Sequence, residues 1–237
     1  MTRAPLADLR ETLRLAHGET VIHWRHSARA RRVSLRIDPG LGEVVVTLPP
    51  SAGRRAGLSL LNHHADWVAR RLRDLPAASP FADGHPVPLA GRMVTIRHVP
   101  EGRFAARLRD DVLEISGGAE FLPRRVSDFL RAEARRMLDR RVRALCAEAG
   151  VSARRVSVKD TRSRWGSCSP TRALAFSWRL VMAPDFVADY VASHEVAHLR
   201  HMNHGAEFWA LVERLTPNRA RAEAWLAAHG PWLLRVG

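Results

Sequence analysis

Two histidines four positions apart, with a glutamate directly after the first, form the most informative pattern in the chain. His194, Glu195 and His198 lie in the run HEVAH, and His204 follows six residues later. Side chains four apart on an α-helix share one face, so both histidines can reach a single ion at roughly 2.0–2.1 Å. A third imidazole would leave one tetrahedral position open for water. This pattern is typical of a zinc-dependent hydrolase.

Two histidines compete to be the third ligand. His201 is only three residues after His198 and would lie on the same helix, roughly 60° off the ligand stripe. Asn203 tolerates the left-handed conformation found at helix ends, so the chain can turn back there and bring His204 to the ion. We therefore predict His204 as the third ligand and His201 as a helix-end cation or a solvated side chain.

Two simpler roles for these histidines are possible. A structural zinc site is usually closed by four protein ligands, often with cysteine among them. Cys168 could approach the helix in space, but a sulfur that closed the site would leave Glu195 without a purpose. If His194 and His198 were only packed or solvated, Glu195 would be a charge at a buried edge with no reason to be there. The pattern favours a catalytic site with Glu195 as general base.

The helix under this motif must begin near Pro184, a residue that fits a first helical position. Val187 and Tyr190 recur at the spacing of a buried stripe that His194 and His198 continue. The other elements predicted for the second half of the chain are a helix over 124–149 stopped by Gly150, strands over 155–159 and 174–178, a helix over 205–215, and a helix over 217–229 with Thr216 as N-cap and Gly230 as its end.

The first half of the chain is predicted to be β-rich with one helix. The helix covers 51–75, and the strands cover 32–38, 43–48, 93–99, 103–109 and 112–116. The first two strands are joined by a Pro-Gly-Leu-Gly turn that predicts a hairpin. The expected class is therefore α+β, with a β-rich subdomain over 19–118 and a helical metallohydrolase subdomain with a small sheet over 119–237.

Composition limits the class of protein. The chain has 237 residues, of which 46% are hydrophobic and 26% charged, as in soluble globular proteins. No stretch approaches the about 18–20 apolar residues of a membrane helix, and residues 1–19 lack the apolar core of a signal peptide. Cys146 and Cys168 are too few for a disulfide framework, so we expect both to be free. These features predict a soluble, cytoplasmic protein without a membrane partner.

The net charge of +14 indicates an anionic partner such as nucleic acid or a nucleotide. Lys159 is nevertheless the sole lysine, and such one-sided use of arginine is typical of genome composition bias. We therefore expect some of the arginine to lie on solvated faces. The series expected on the long helix is Arg131, Arg135, Arg136, Arg140 and Arg143.

Several further motifs together resemble the YgjP-like metallopeptidase domain, once called domain of unknown function 45. The resemblance covers about residues 20–230. It implies a zincin-type fold, in which a small sheet packs on the metal helix, with zinc held by His194, His198 and His204 and with Glu195 as general base. The family is also similar to SprT and related zincins, some of which act on proteins bound to DNA; that link is analogy only. The motifs are RVSLR from Arg32, HADWV from His64, SRWGSC from Ser163, WRL from Trp178, DYV from Asp189, HEVAHL from His194, NH from Asn203 and FW from Phe208.

The predicted reaction is hydrolysis of a peptide bond in a protein or peptide substrate by water that Zn2+ and Glu195 activate. Stabilisation of the oxyanion is also expected, and the candidates are Arg162, Arg164, Arg179 and Tyr190. One alternative is a phosphohydrolase acting on nucleotides, because guanidinium groups match phosphate oxygens, although the chain has neither a Gly-rich phosphate loop nor paired acidic ligands. Another is a nucleic-acid-associated binding protein with a structural zinc site.

Two tryptophans of these motifs, Trp165 and Trp178, are expected to pack in the core beside the metal site. In a less favoured interpretation, the strand that carries one of them pairs with an extended peptide substrate.

Overall fold

The computed structural model describes residues 9–15, 18–161 and 163–237. These residues form helices and three small sheets with mixed strand directions, which confirms the predicted α+β class. The chain divides into two compact units, Met1–Ala77 and Ala78–Gly237. None of the helices described is both long enough and apolar enough to span a lipid bilayer.

The first unit is a four-stranded sheet covered by two short helices. Its sheet has the order β1-β2-β4-β3, in which β2 and β4 are parallel and the other pairs are antiparallel. Trp24, Val46 and Leu48 are buried in one cluster with Leu61 and Val68 of the helices. The elements are β1 Leu9–Leu15, β2 Gly18–His26, β3 Ser34–Asp38, β4 Glu43–Leu48, α1 Arg54–His63 and α2 Ala65–Arg73.

Three features of this unit differ from the prediction. The hairpin of β3 and β4 is present, although β3 begins two residues later than expected. Strands β1 and β2 were not predicted, because β1 alternates charged residues with apolar ones that are only partly buried. The single helix expected over 51–75 is wrong, since the helix breaks at His64, whose φ and ψ are −108° and 19°. Backbone hydrogen bonds continue across the break, from His64 to Leu60 and from Val68 to His64.

The second unit begins with a sheet of order β5-β6-β8-β7, which packs on a long helix. Ile96, Leu113 and Ile115 of this sheet share one core cluster with Val126 and Leu130 of the helix. The predicted boundary between residues 118 and 119 therefore differs from the observed division after Ala77, because this sheet buries its apolar face in the second unit. The elements are β5 Pro86–Leu89, β6 Arg92–Val99, β7 Ala106–Arg109, β8 Val112–Ser116 and α3 Leu122–Ala149.

The remainder of the second unit holds a three-stranded sheet and three helices. The sheet has the order β10-β11-β9, with β11 parallel to β9 and antiparallel to β10. Leu174 and Phe176 on β11 are fully buried, and Val156 and Val158 on β9 pack against the same core. The elements are β9 Arg155–Lys159, β10 Gly166–Cys168, β11 Ala173–Ser177, α4 Asp185–Ala197, α5 Ala206–Leu215 and α6 Arg219–Leu233.

Of the element ends in this part, the end of α3 was predicted correctly and the ends of α6 were not. Gly150 ends α3 in a left-handed conformation with φ 65°, as expected. The limits predicted for the last helix were wrong, because α6 has Asn218 as N-cap and continues past Gly230 to Leu233. Tertiary packing overrides the local stop signal here, since Leu233 is fully buried in the core.

The first unit offers a direct test of its packing at Gly57 on α1. A Cβ atom there would lie 2.5 Å from Trp24 and 3.0 Å from Val46. Alanine normally stabilises a helix interior relative to glycine by about 1 kcal/mol, but overpacking costs about 1–3 kcal/mol. We expect Gly57→Ala to lower the free energy of unfolding in urea titrations. Ser59→Ala, at an exposed position of α1, is the matched control and should be neutral or slightly stabilising.

Candidate metal centre

Helix α4 carries the metal-ligand motif and is fixed in place by its neighbours. Val187 and Val196 are fully buried. Arg141 on α3 donates hydrogen bonds to Asp185 and Asp189 on the outer side of α4, both at 2.6 Å. Pro184 lies one residue before the helix, as its N-cap, rather than at the first helical position.

The helix ends where the second histidine stands. His198 is the C-cap of α4, and the chain then turns before α5 begins after Gly205. This turn returns His204 to the end of α4. His194, His198 and His204 therefore meet, and their ligand atoms all lie within 4.8 Å of one another.

The spacing of these rings suits a single tetrahedral ion. The Nε2 atoms of His194 and His204 are 3.2 Å apart. Two ligands that bind a tetrahedral zinc at roughly 2.0–2.1 Å lie about 3.3 Å from each other. The ring centroid of His198 is 5.0 Å from that of His194 and 4.7 Å from that of His204.

The protonation of the rings also suits a metal. Burial lowers the pKa of His194 to about 4, and the neighbouring His198 and His204 act in the same direction. Burial likewise lowers the pKa of His198. Both rings are therefore neutral at pH 7 and each has a nitrogen lone pair to offer. Neutral imidazole is the form that binds divalent transition metals.

His201 has a different place from the three ligand candidates. Its Nδ1 lies 3.4 Å from a carboxylate oxygen of Glu207. Its backbone carbonyl lies 3.0 Å from the Nδ1 of His198. A hydrogen bond from that Nδ1 to the carbonyl leaves the Nε2 of His198 as the lone-pair nitrogen, which is the usual way in which a protein orients a ligating histidine.

Aromatic side chains of α5 pack behind the three rings. Phe208 is fully buried, and its ring centroid lies 4.5 Å from that of His198 and 5.0 Å from that of His194. Trp209 lies 5.6 Å from His204. The sequence contained these residues as a motif, but it gave no reason to assign Phe208 the role of supporting the ligands.

Glu195 is the buried carboxylate of the site. Its residue is only 6% exposed, and burial raises the pKa of Glu195 to about 7, against the opposing charge of Arg164. A carboxylate with a pKa near the working pH is suited to accept and return protons. A Cβ atom on Gly166 would lie 2.5 Å from an oxygen of Glu195, so only glycine allows β10 to approach this closely.

The sequence reasoning missed this function of Gly166. It lies within the SRWGSC motif, and a glycine inside a strand is a recognised sign of close approach by another group. The stretch around Gly166 was not predicted as a strand, so this sign was not applied, and it would not have identified Glu195 as the neighbour.

An open cleft of about 510 Å³ contains the site. It brings the three histidines and Glu195 together with Arg164, and its other lining residues are Ser163, Gly166, Ser167, Cys168 and Met202. Cys168 is free, and burial raises its pKa, with Glu195 adding to the effect. Among the described residues the metal-ligand cluster consists of the three histidines, without a cysteine.

The residues predicted to stabilise an oxyanion have different surroundings. Arg164 is exposed and lines the cleft. Arg179 is buried and forms an ion pair with Asp160. Tyr190 is buried and donates a hydrogen bond of 2.6 Å to Glu223, and burial together with this acceptor raises the pKa of Tyr190 well above its usual value. Arg162 lies outside the described residues.

Both tryptophans of the motifs pack against the core. Trp178 is 2% exposed and donates a hydrogen bond of 3.2 Å from Nε1 to Asp160. Trp165 is partly buried against the same cluster and lies next to Gly230.

A cluster of three histidines with a buried carboxylate at an open cleft is the type of site that single-metal hydrolases use. Comparison with protein families narrows this class to one family. The YgjP-like metallopeptidase domain matches residues 31–229, which is most of the chain, so the protein belongs to this family. The resemblance stated from the motifs is thus confirmed. Comparisons with curated proteins and with solved structures give no match.

Asp160 offers a test of how the buried Arg179 is held. The side chain of Arg179 is 6% exposed and that of Asp160 38%. Removal of one partner from a buried pair costs about 3–5 kcal/mol, and solvent at Asp160 reduces our expectation for Asp160→Asn to about 2 kcal/mol. Urea unfolding measures this loss. Asp139→Asn, which breaks an exposed pair with Arg135, is the control and should cost under about 0.5 kcal/mol.

The effect of Asp160→Asn should depend on pH. Burial of Asp160 opposes its ionisation, but hydrogen bonds and charge from Arg179, with Trp178 and Arg131, leave the pKa of Asp160 below its usual value. The stabilisation is therefore present above pH about 4 and is lost as the pH falls through the lowered pKa. A constant difference between the wild type and Asp160→Asn down to pH 2 would contradict this explanation.

The contact between Gly166 and Glu195 can be tested by a double-mutant cycle. We expect Gly166→Ala to destabilise the metal-free protein by about 1–3 kcal/mol, because the new Cβ atom collides with Glu195. The same substitution should cost much less in a Glu195→Ala background, where the colliding atoms are gone. Equal costs in the two backgrounds, measured by urea unfolding, would show that another contact is responsible.

Proposed function

We propose that the protein is a zinc-dependent metallopeptidase in which His194, His198 and His204 bind the metal and Glu195 is the general base. The observation that carries this proposal is the meeting of three convergent imidazoles and a buried carboxylate in one open cleft. Imidazole ligands in a tetrahedral arrangement favour zinc among the common divalent cations. Zinc held there supplies Lewis-acid chemistry and lowers the pKa of water.

Glu195 performs the proton transfers of this reaction. Its carboxylate accepts a proton from the attacking water as the oxygen bonds to the carbonyl carbon of the substrate. It then returns that proton to the leaving amine as the peptide C–N bond breaks. The water-poor surroundings that raise the pKa of Glu195 make the return of the proton easier.

Arg164 is best placed of the predicted candidates to bind the substrate carbonyl as its negative charge develops. Arg164 lines the cleft, and its charge acts on Glu195. A hydrogen bond from Thr161 to the carbonyl of Arg164, at 2.7 Å, holds the backbone of this segment. Arg179 and Tyr190 are engaged with Asp160 and Glu223, so we give them the role of holding the site together.

Strand β10 supports a peptide as the substrate. It is an edge strand, paired with β11 on one side, and Gly166 on this strand touches Glu195. The free backbone groups of an edge strand can pair with an extended peptide. We propose that the substrate lies along β10, which places its scissile bond beside Glu195. The less favoured interpretation from the sequence gave this role to a strand that carries Trp165 or Trp178, whereas β10 carries neither and begins directly after Trp165.

Nucleotide hydrolysis and nucleic-acid binding through a structural zinc site gain no support from the site. A two-metal phosphohydrolase needs a second set of ligands. Within residues 9–15, 18–161 and 163–237 the histidine triad is the metal-ligand cluster found.

A cytoplasmic location is part of the proposal, because the free thiols of Cys146 and Cys168 suit a reducing compartment.

The experiment uses the purified full chain with casein-derived peptides. We expect cleavage that a chelator abolishes and zinc restores, and a loss of about 10²–10⁴-fold in kcat for Glu195→Gln. Glu195→Gln should still bind one equivalent of zinc by elemental analysis. Turnover of nucleoside triphosphates that disappears in Glu195→Gln, without cleavage of any peptide, would overturn the proposal.

The assignment of ligands has its own matched pair of variants. His204→Ala should lose bound zinc, because it removes one of three imidazoles. His201→Ala should keep it, because the backbone carbonyl that orients His198 remains. Zinc analysis after gel filtration separates the two, and retention by His204→Ala with loss by His201→Ala would reverse the assignment.

A further inference from the structure

The sheet that carries the catalytic edge has a second face, directed away from the core. Side chains alternate between faces along a strand. Val156 and Val158 of β9 pack inward, so Arg155, Ser157 and Lys159 project from the outer face.

Small side chains form the floor of this face. Ala173 and Ala175 of β11 pair with Arg155 and Ser157, and Ser167 of β10 pairs with Ala175. Together they leave a groove of about 340 Å³ across the three strands. We call it the basic groove, and its lining residues are Arg155, Ser157, Lys159, Arg164, Ser167, Cys168, Ser169, Ala173, Leu174 and Ala175.

The charge of the basic groove has one sign. Arg155, Lys159 and Arg164 line it, and none of its lining residues is acidic. In the part of the chain that the structure describes, none of these three cations forms an ion pair. Asp160, the residue after Lys159, is held by Arg179 and does not neutralise the groove.

Arginines on α3 differ in their partners. Arg131 pairs with Asp160 and Arg135 pairs with Asp139, whereas Arg140 has no ion-pair partner among the described residues. Unpaired arginines are therefore not confined to the groove, and what distinguishes the groove is that three cations line it together without an acidic residue.

The basic groove continues into the catalytic cleft. Arg164, Ser167 and Cys168 line both. The distance from Arg155 to Lys159 along β9 is about 13 Å at the usual rise of a strand. The part of a substrate beyond the residues that pair with β10 can therefore lie over the groove for about four residues.

We propose that the basic groove selects peptide substrates that carry aspartate or glutamate close to the scissile bond. This inference rests on the proposed peptidase function and adds a substrate class to it. The small floor accepts an extended backbone, and the cations at its rim match carboxylates on alternate residues of such a strand. A nucleic acid fits less well, because the groove has no aromatic side chain on which a base could stack.

The first experiment measures binding without catalysis. Fluorescein-labelled ten-residue peptides of one sequence carry Asp and Glu, or Asn and Gln, at the same flanking positions. Their affinity for the full-length Glu195→Gln protein is measured by fluorescence anisotropy at 50 and 200 mM NaCl. We expect the acidic peptide to bind at least about tenfold more tightly at low salt, with the difference falling at high salt.

Variants assign the preference to the basic groove. Arg155→Gln with Lys159→Gln should remove most of it, whereas Arg155→Lys with Lys159→Arg, which keeps both charges, should retain it. Arg140→Gln, which removes an exposed charge from α3, is the control for net charge and should retain the preference too. A preference that survives Arg155→Gln with Lys159→Gln, or that disappears in Arg140→Gln, would overturn the proposal.

A cleavage assay separates this proposal from the proposed function. Cleavage of acidic and neutral peptides at equal kcat/KM contradicts the groove proposal and leaves the peptidase function intact. Selective binding of the acidic peptide without cleavage of any peptide contradicts the peptidase function and supports the groove. An unlabelled ten-residue oligothymidylate that displaces the acidic peptide at lower concentration than the peptide itself would assign the groove to nucleic acid and overturn the proposal.

Discussion

Three imidazole nitrogens can share one ion only if they converge on one point, and the chain brings them together at the end of α4. Burial keeps His194 and His198 neutral, and the carbonyl of His201 selects the nitrogen that His198 presents. The helix can supply only two of the three ligands, because the third must approach from outside its axis. The turn after His198 is therefore as necessary to the site as the helix itself.

The rest of the second unit can be understood as support for this convergence. Phe208 of α5 backs the rings, and the paired aspartates of α4 hold the helix against Arg141 of α3. The close contact of Gly166 with Glu195 brings the edge of the small sheet to the metal helix. Burial of a carboxylate costs free energy, and here that cost places the pKa of Glu195 where proton transfer is efficient.

The sequence predicted those parts of the structure that depend on local pattern. The strands over 43–48, 112–116 and 155–159 and the stop of α3 at Gly150 follow from alternation, β-branched residues and a glycine cap. The division of the chain into units did not, because the sheet of β5 to β8 could pack against either half. Helix α6 continues past Gly230 because Leu233 is buried in the core, which no local signal encodes.

The candidate site shows the same division between local and long-range information. The spacing of His194, His198 and His204 predicts a cluster, since it depends on helix periodicity and one turn. The environment of Arg179 could not be predicted, because its partner Asp160 is nineteen residues away, directly after β9. Tyr190 meets Glu223 of α6 for the same reason, across thirty-three residues. A long-range partner of this kind indicates that a residue supports the site, and such partners cannot be read from local sequence.

The contact between Tyr190 and Glu223 also makes α4 dependent on a distant part of the chain. Helix α6 packs on α4 through this hydrogen bond and through the core residue Ala222. Elements that share one core generally fold as a unit. Helix α4 therefore has its full set of neighbours only when α6 is folded onto it, so local unfolding of α6 would leave the histidine-bearing helix without part of its support.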